Sequence, residues 1–228
     1  MQQMALDIGL FSGPSLGNFW PGQNAEALRH LELWVGHGQA HAPRSPVPTY
    51  LWGPAGSGKS HLLQAARAAL RAQGSTMGWM DASSHESQDF DEAWSAVCMD
   101  DVHLYTAAQQ QQAFNWFVNA QTWQRPVLAA GDLAPANLVL RDDLRTRLGW
   151  GHIYSLQLLS EAERRAVLRR AADARGIFLS DEVMDYMLRR FSRDLGSLME
   201  LLGLLDGYAL QTQRAITIPL IKSMLENA

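Results

Sequence analysis

Gly53-Pro54-Ala55-Gly56-Ser57-Gly58-Lys59-Ser60 is the stretch that decides the fold of this 228-residue chain. It follows the apolar run Thr49-Tyr50-Leu51-Trp52 and fills every fixed position of the G-x-x-x-x-G-K-[ST] phosphate-binding loop. Glycines at 53, 56 and 58 let the backbone curl so that successive N–H groups point at one anion. Lys59 adds a point charge for β and γ phosphates, and the Ser60 hydroxyl is suited to Mg²⁺. A helix from Lys59 to about Gln73 opens at the loop, and its N-terminal dipole favours the same anion. The loop residues, with His61 beside them, are therefore expected to hold a nucleoside phosphate.

Outward from the loop, short apolar runs at Thr76–Met80, Ala96–Met99, Val127–Ala130 and Ile153–Leu156 fit strands buried on both faces. Helical patterns such as Ala107–Trp123 separate most of them, and this alternation predicts a parallel sheet covered by helices. Gln109–Gln112 reads as a solvated helix face. A helix from about Asn24 to Val35 precedes the loop, and the glycines and prolines of Gly36–Pro48 mark a surface loop. Residues 1–18 read as a flexible tail. From Ser160 the pattern becomes wholly helical: Ser160-Glu161-Ala162-Glu163 resembles a capping box, followed by helices over 162–174, 180–191 and 194–210, and a short one near Pro219. The expected organisation is a tail (1–18), an α/β domain (19–156) and a helical domain (157–228).

Composition excludes several classes. At 47% hydrophobic and 18% charged the chain can bury a substantial core. It contains no apolar run of the ~18 residues a membrane helix needs and no basic signal-peptide start, and its one cysteine, Cys98, suits a reducing compartment. A cytoplasmic location is expected. Net charge is −4, and 13 of the 19 basic residues lie from Arg141 onward together with 12 of the 23 acidic ones. Neither part carries the basic excess of a protein that grips nucleic-acid backbones.

Further chemistry sits at strand ends. Ser95–Met99 runs into Asp100-Asp101, a Walker B pattern in which Asp100 would hold Mg²⁺ and Asp101 would orient or deprotonate water. Asp132 ends the next strand, where neighbouring parallel strands deliver such groups to one edge. It reads equally as a sensor of the γ-phosphate or as a helix cap ahead of Leu133. Arg147 and Arg193 are each open to two readings, phosphate recognition or a solvated surface group. His37 and His41 lie in the proline-rich loop, which argues against a helical metal pair.

With these motifs in hand, the chain resembles AAA+ ATPases of the DnaA branch and, within it, the Hda family of regulatory inactivation of DnaA. Phe19-Trp20-Pro21-Gly22 is similar to the box packing near adenine, which draws Trp20 into the nucleotide site. Gly131-Asp132 falls at sensor 1, and Leu144–Gly151 resembles the arginine-finger box, placing the finger at Arg147. Arg193-Asp194-Leu195 falls at sensor 2, where Arg193 would touch the nucleotide. Gln213–Pro219 is similar to the closing lid segment of Hda proteins. Gln3-Met4-Ala5-Leu6-Asp7-Ile8 resembles their clamp-binding peptide, with Gln3 at the rim of a pocket and Leu6 and Ile8 inside it.

The resemblance implies an α/β AAA+ phosphate-loop fold with a five-stranded parallel sheet and a small helical lid. It implies ADP or ATP with Mg²⁺ as cofactor, and the DNA polymerase III sliding clamp (its β subunit) and DnaA as partners. A homodimer is compatible with it. No DnaA-type DNA-binding domain and no basic insertion over 81–94 are expected, hence no sequence-specific DNA binding. Retention of both Walker motifs keeps a second reading open, an autonomous ATPase such as a helicase loader or remodeller.

Overall fold

A computed structural model describes residues 13–36, 45–84, 88–191 and 195–226. The described chain divides into two units, Gly13–Leu158 and the part from Leu159 onward. In the first, strands β1 (Thr49–Trp52), β2 (Met77–Met80), β3 (Ala96–Met99), β4 (Val127–Gly131) and β5 (His152–Ser155) form one sheet in the order β2-β3-β4-β1-β5. Every pairing is parallel, as the alternation of strand and crossover requires.

Period-two alternation explains how the sheet is covered on both faces. Leu51, Ala96, Cys98, Leu128 and Ala130 join one core with residues of α1 (Ala25–Val35) and α2 (Lys59–Ala72). Tyr50, Val97, Met99, Val127 and Ala129 join the opposite core with residues of α3 (Ala107–Thr122) and α4 (Asp142–Leu148). Trp94 and Trp116 meet there edge to face at 4.7 Å. Strand β5 departs from the expectation of a strand buried on both faces: His152, Ile153 and Ser155 are exposed, because β5 pairs only with β1 and forms the sheet edge.

Two further local readings change. Ser15 to Asn18, assigned from the glycines to the tail, make a capped 3-10 turn over Leu16–Asn18, and Leu16 packs against the core of α1 and α2. The glutamine run is a bracket rather than a solvated face. Gln109 is buried; its Nε2 donates to the carbonyls of Asp81, Ala82 and Ser84 at 3.0–3.2 Å, and its Oε1 accepts from the Thr106 amide. Gln112 donates to the Gln88 carbonyl and Gln110 to that of Tyr105. Neutral amides offer donor and acceptor together, so they satisfy loop carbonyls that a hydrocarbon would strand.

The second unit holds α5 (Glu161–Ala174), α6 (Asp181–Arg190), α7 (Leu195–Thr212) and α8 (Ile218–Glu226) around its own core of Leu168, Met184, Met187, Leu202, Leu205 and Ile221. Ser160 and Glu163 form the anticipated capping box, Ser180 caps α6, and Pro219 occupies the first turn of α8. No described helix is long and apolar enough to cross a membrane.

Candidate nucleotide site

The loop from Gly53 to Gly58 is shaped by positive φ angles of 153°, 81° and 94° at Gly53, Gly56 and Gly58. At two of them glycine is also a packing requirement. A Cβ on Gly53 would collide with the Leu156 carbonyl, and one on Gly58 would lie 2.7 Å from the Phe19 ring. Pro54 and Ala55 form the exposed crest, and Ser57 is buried with no hydrogen-bond partner for its hydroxyl among the described residues. A buried, unpaired hydroxyl within a curled backbone and at a helix start fits an anionic group.

Lys59, nine-tenths buried, donates to the carbonyls of Gly53 (2.7 Å) and Pro54 (3.1 Å) and pairs with Asp132 at 2.9 Å. The Ser60 hydroxyl bonds the Asp100 carboxyl. Burial nevertheless raises that carboxyl above its ordinary range, with the Asp101 charge adding to the effect and the Ser60 bond opposing it. Asp101 adopts a left-handed backbone (φ 50°), and its amide donates to the Asp100 carboxylate at 3.0 Å. Ser60 and Asp100 are thus together as a Mg²⁺ site requires, with Asp101 one residue on.

Asp132 is not a helix cap: the next helical turn, Pro135–Asn137, starts beyond it with Ala134 at its cap position. Instead the carboxylate lies between Lys59 and a residue that sequence reasoning missed, His103. The His103 ring is 3.2 Å from Asp132 Oδ2, and the Asp132 amide donates to His103 Nδ1 at 3.3 Å. The only sequence signal for His103 was its place two residues after the Walker B pair. Tyr50 was missed as well; its hydroxyl donates to the Leu133 carbonyl at 2.8 Å, close over Gly131, where a side chain would block it.

At the helix start the His61 ring packs against Phe19 at a tilt of 44° (centroids 5.7 Å apart), and its Nε2 donates to the Ser15 carbonyl at 3.2 Å. Phe19 is therefore the box residue that touches the loop, and Trp20 next to it is half-buried. Two residues beyond that box, Asn24 is buried and pairs both backbone groups of Gln157, donating to its carbonyl (2.9 Å) and accepting from its amide (2.7 Å).

Arg147 makes none of the contacts described above. Its helix α4 carries the chain from the end of β4 toward the start of β5, where His152 bonds Pro48 ahead of β1. The phosphate loop leaves β1 at the other edge. The guanidinium rests over the rings of Phe114 (5.2 Å) and Phe117 (5.7 Å). Arg141 and Arg145 are ion-paired with Asp143 and Asp142, but among the described residues no carboxylate pairs with Arg147. Arg193 and the clamp-peptide residues Gln3, Leu6 and Ile8 lie outside the described residues, as do His37 and His41.

Residues 161–225 match the family model described as "Hda, lid domain". Domain III of the Thermotoga maritima replication initiation protein DnaA is structurally similar with a TM-score of 0.73, at 18% identity over 99% of this chain and 98% of that one. AMPPCP-bound DnaA from Aquifex aeolicus gives 0.65 at 20% identity, covering 87% and 66%. The Thermotoga maritima RuvB Holliday junction branch migration motor gives 0.61 at 15% identity, covering 89% and 68%. The chain thus has the fold of these structures, and its residues 161–225 match the lid-domain model of the Hda family.

Proposed function

We propose that this protein is an Hda-like negative regulator of replication initiation, holding a nucleotide in its own loop and promoting hydrolysis of ATP bound by DnaA. In its own site, the loop glycines, Ser57 and Lys59 would hold the phosphates, by resemblance those of ADP. Ser60 and Asp100 would hold Mg²⁺, which supplies charge neutralisation when bound. The N-terminal peptide Gln3–Ile8 would tether the protein to the sliding clamp on DNA and raise the effective concentration of a weak DnaA contact. Arg147 would then act in trans on the phosphates of DnaA-bound ATP.

The observation that carries this reading is Arg147. It is a cation without a carboxylate partner among the described residues, supported on two aromatic rings. An arginine finger needs those properties, because it must arrive charged and desolvated at a neighbour's transition state. The expected result for Arg147→Ala is unchanged clamp binding with stimulated DnaA ATP hydrolysis reduced by about 10³-fold or more, measured as phosphate release with clamp-loaded DNA. Replacing Gln3, Leu6 and Ile8 by Ala should instead abolish clamp co-purification. Unchanged stimulation by Arg147→Ala sinks the finger assignment.

A second reading, an autonomous ATPase, is favoured by the Ser60–Asp100 contact with Asp101 beside it. Sustained ATP turnover by the purified protein without clamp or DnaA would select it.

A further inference from the structure

Lys59 carries three N–H donors, and all three have acceptors: the Gly53 carbonyl, the Pro54 carbonyl and Asp132 Oδ1. Asp132 is itself held at two points by one side chain. Its amide donates to His103 Nδ1, so the ring proton of a neutral His103 is on Nε2, from where it donates to Asp132 Oδ2. The backbone here is pinned too, by Tyr50 on Leu133 and by the Gly53 amide on the Gly131 carbonyl. Ligand atoms of Asp101, His103 and Asp132 gather within 4.8 Å of one another, a spacing a metal ion could use. Both ring nitrogens of His103 are already engaged by Asp132, however, so the cluster is better described as a latch.

We propose that His103 and Asp132 form a built-in counter-ion for Lys59 that makes the phosphate loop select a nucleoside diphosphate over a triphosphate. This rests on the reading of the loop as a nucleotide site. A diphosphate can take over the two bonds that Lys59 makes to loop carbonyls and leave the Lys59–Asp132 pair intact. A triphosphate brings further negative charge to the same ammonium, which Asp132 already shares, and the two anions repel in a partly desolvated pocket. His103 is the positioning residue: without it a carboxylate 38% exposed is free to turn toward water and release the lysine.

The test is equilibrium calorimetric binding of Mg-ADP and of the β,γ-methylene analogue of ATP to the full chain. The proteins are the wild type, Asp132→Asn, His103→Leu and His103→Gln, with melting curves as a folding control. Asp132→Asn and His103→Leu should shift the affinity ratio toward the triphosphate by about tenfold, the scale of one charge-assisted hydrogen bond. His103→Gln keeps an acceptor for the Asp132 amide and a donor for its carboxylate, and should restore the wild-type ratio. Intact binding with the same ratio in all four proteins overturns the selectivity alone, as does a glutamine variant that behaves like leucine. Wild-type protein that binds neither nucleotide overturns the nucleotide reading and the proposal with it.

Discussion

Gly58 shows how local stereochemistry and packing constrain one atom together. Its φ of 94° is strained for any L side chain, and the Phe19 ring closes the space where a Cβ would sit. Gly58→Ala should lower stability by about 1–3 kcal/mol in urea titrations. The control Gly17→Ala, with open space around it, should change little. Two histidines set an acid limit on stability. Burial lowers the pKa of His30, with His152 adding to the effect, and burial lowers that of His61 against the opposing bond to Ser15. Both folded values lie below the ordinary 6.5, so the unfolded chain takes up these protons first. Their contribution is complete above about pH 6.5 and is lost as pH falls through the folded values. Melting temperatures should drop as pH falls below about 6.5, and a His30→Gln, His61→Gln double variant should flatten that slope.

At the scale of elements, Gln109 ties the N-terminus of α3 to the loop after β2. Gln109→Ala leaves the Asp81, Ala82 and Ser84 carbonyls without that donor and should cost about 2 kcal/mol or more, measured by chemical denaturation. A compensating gain in stability would mean that water serves those carbonyls equally well. The strands, the helix starts and their caps were legible because short apolar runs, Ser160, Ser180 and Pro219 act locally. The exposed edge character of β5 was not, since an apolar run reads alike whether one neighbour pairs with it or two. Helix α4 went unread because its seven residues are too few to display a period.

At the scale of the molecule, Cys98 reports on folding. It sits in β3 between β2 and β4, fully buried, and burial pushes its thiol well above the usual range. Its labelling by a thiol reagent should therefore follow global unfolding rather than local opening. Mg-ADP at 100 times its dissociation constant should slow labelling about 100-fold, equivalent to about 2.7 kcal/mol, if only the folded state binds. Rapid labelling of native protein would place Cys98 in a region that opens on its own.

The phosphate loop, the Walker B pair, the parallel α/β class and the helical lid were determined by sequence alone. Each follows from short-range rules: glycine φ freedom, strand alternation, capping chemistry and a lysine at fixed spacing from its loop. Tertiary structure decided which of these groups act together. Lys59, His103 and Asp132 are far apart in the chain, and only the adjacency of β1, β4 and β3 in the sheet brings them within hydrogen-bond distance. The placement of Arg147 over Phe114 and Phe117 likewise follows from the packing of α4 against α3. Hydrogen bonds act over about 3 Å, and a chain's order does not encode that proximity until strand order is set.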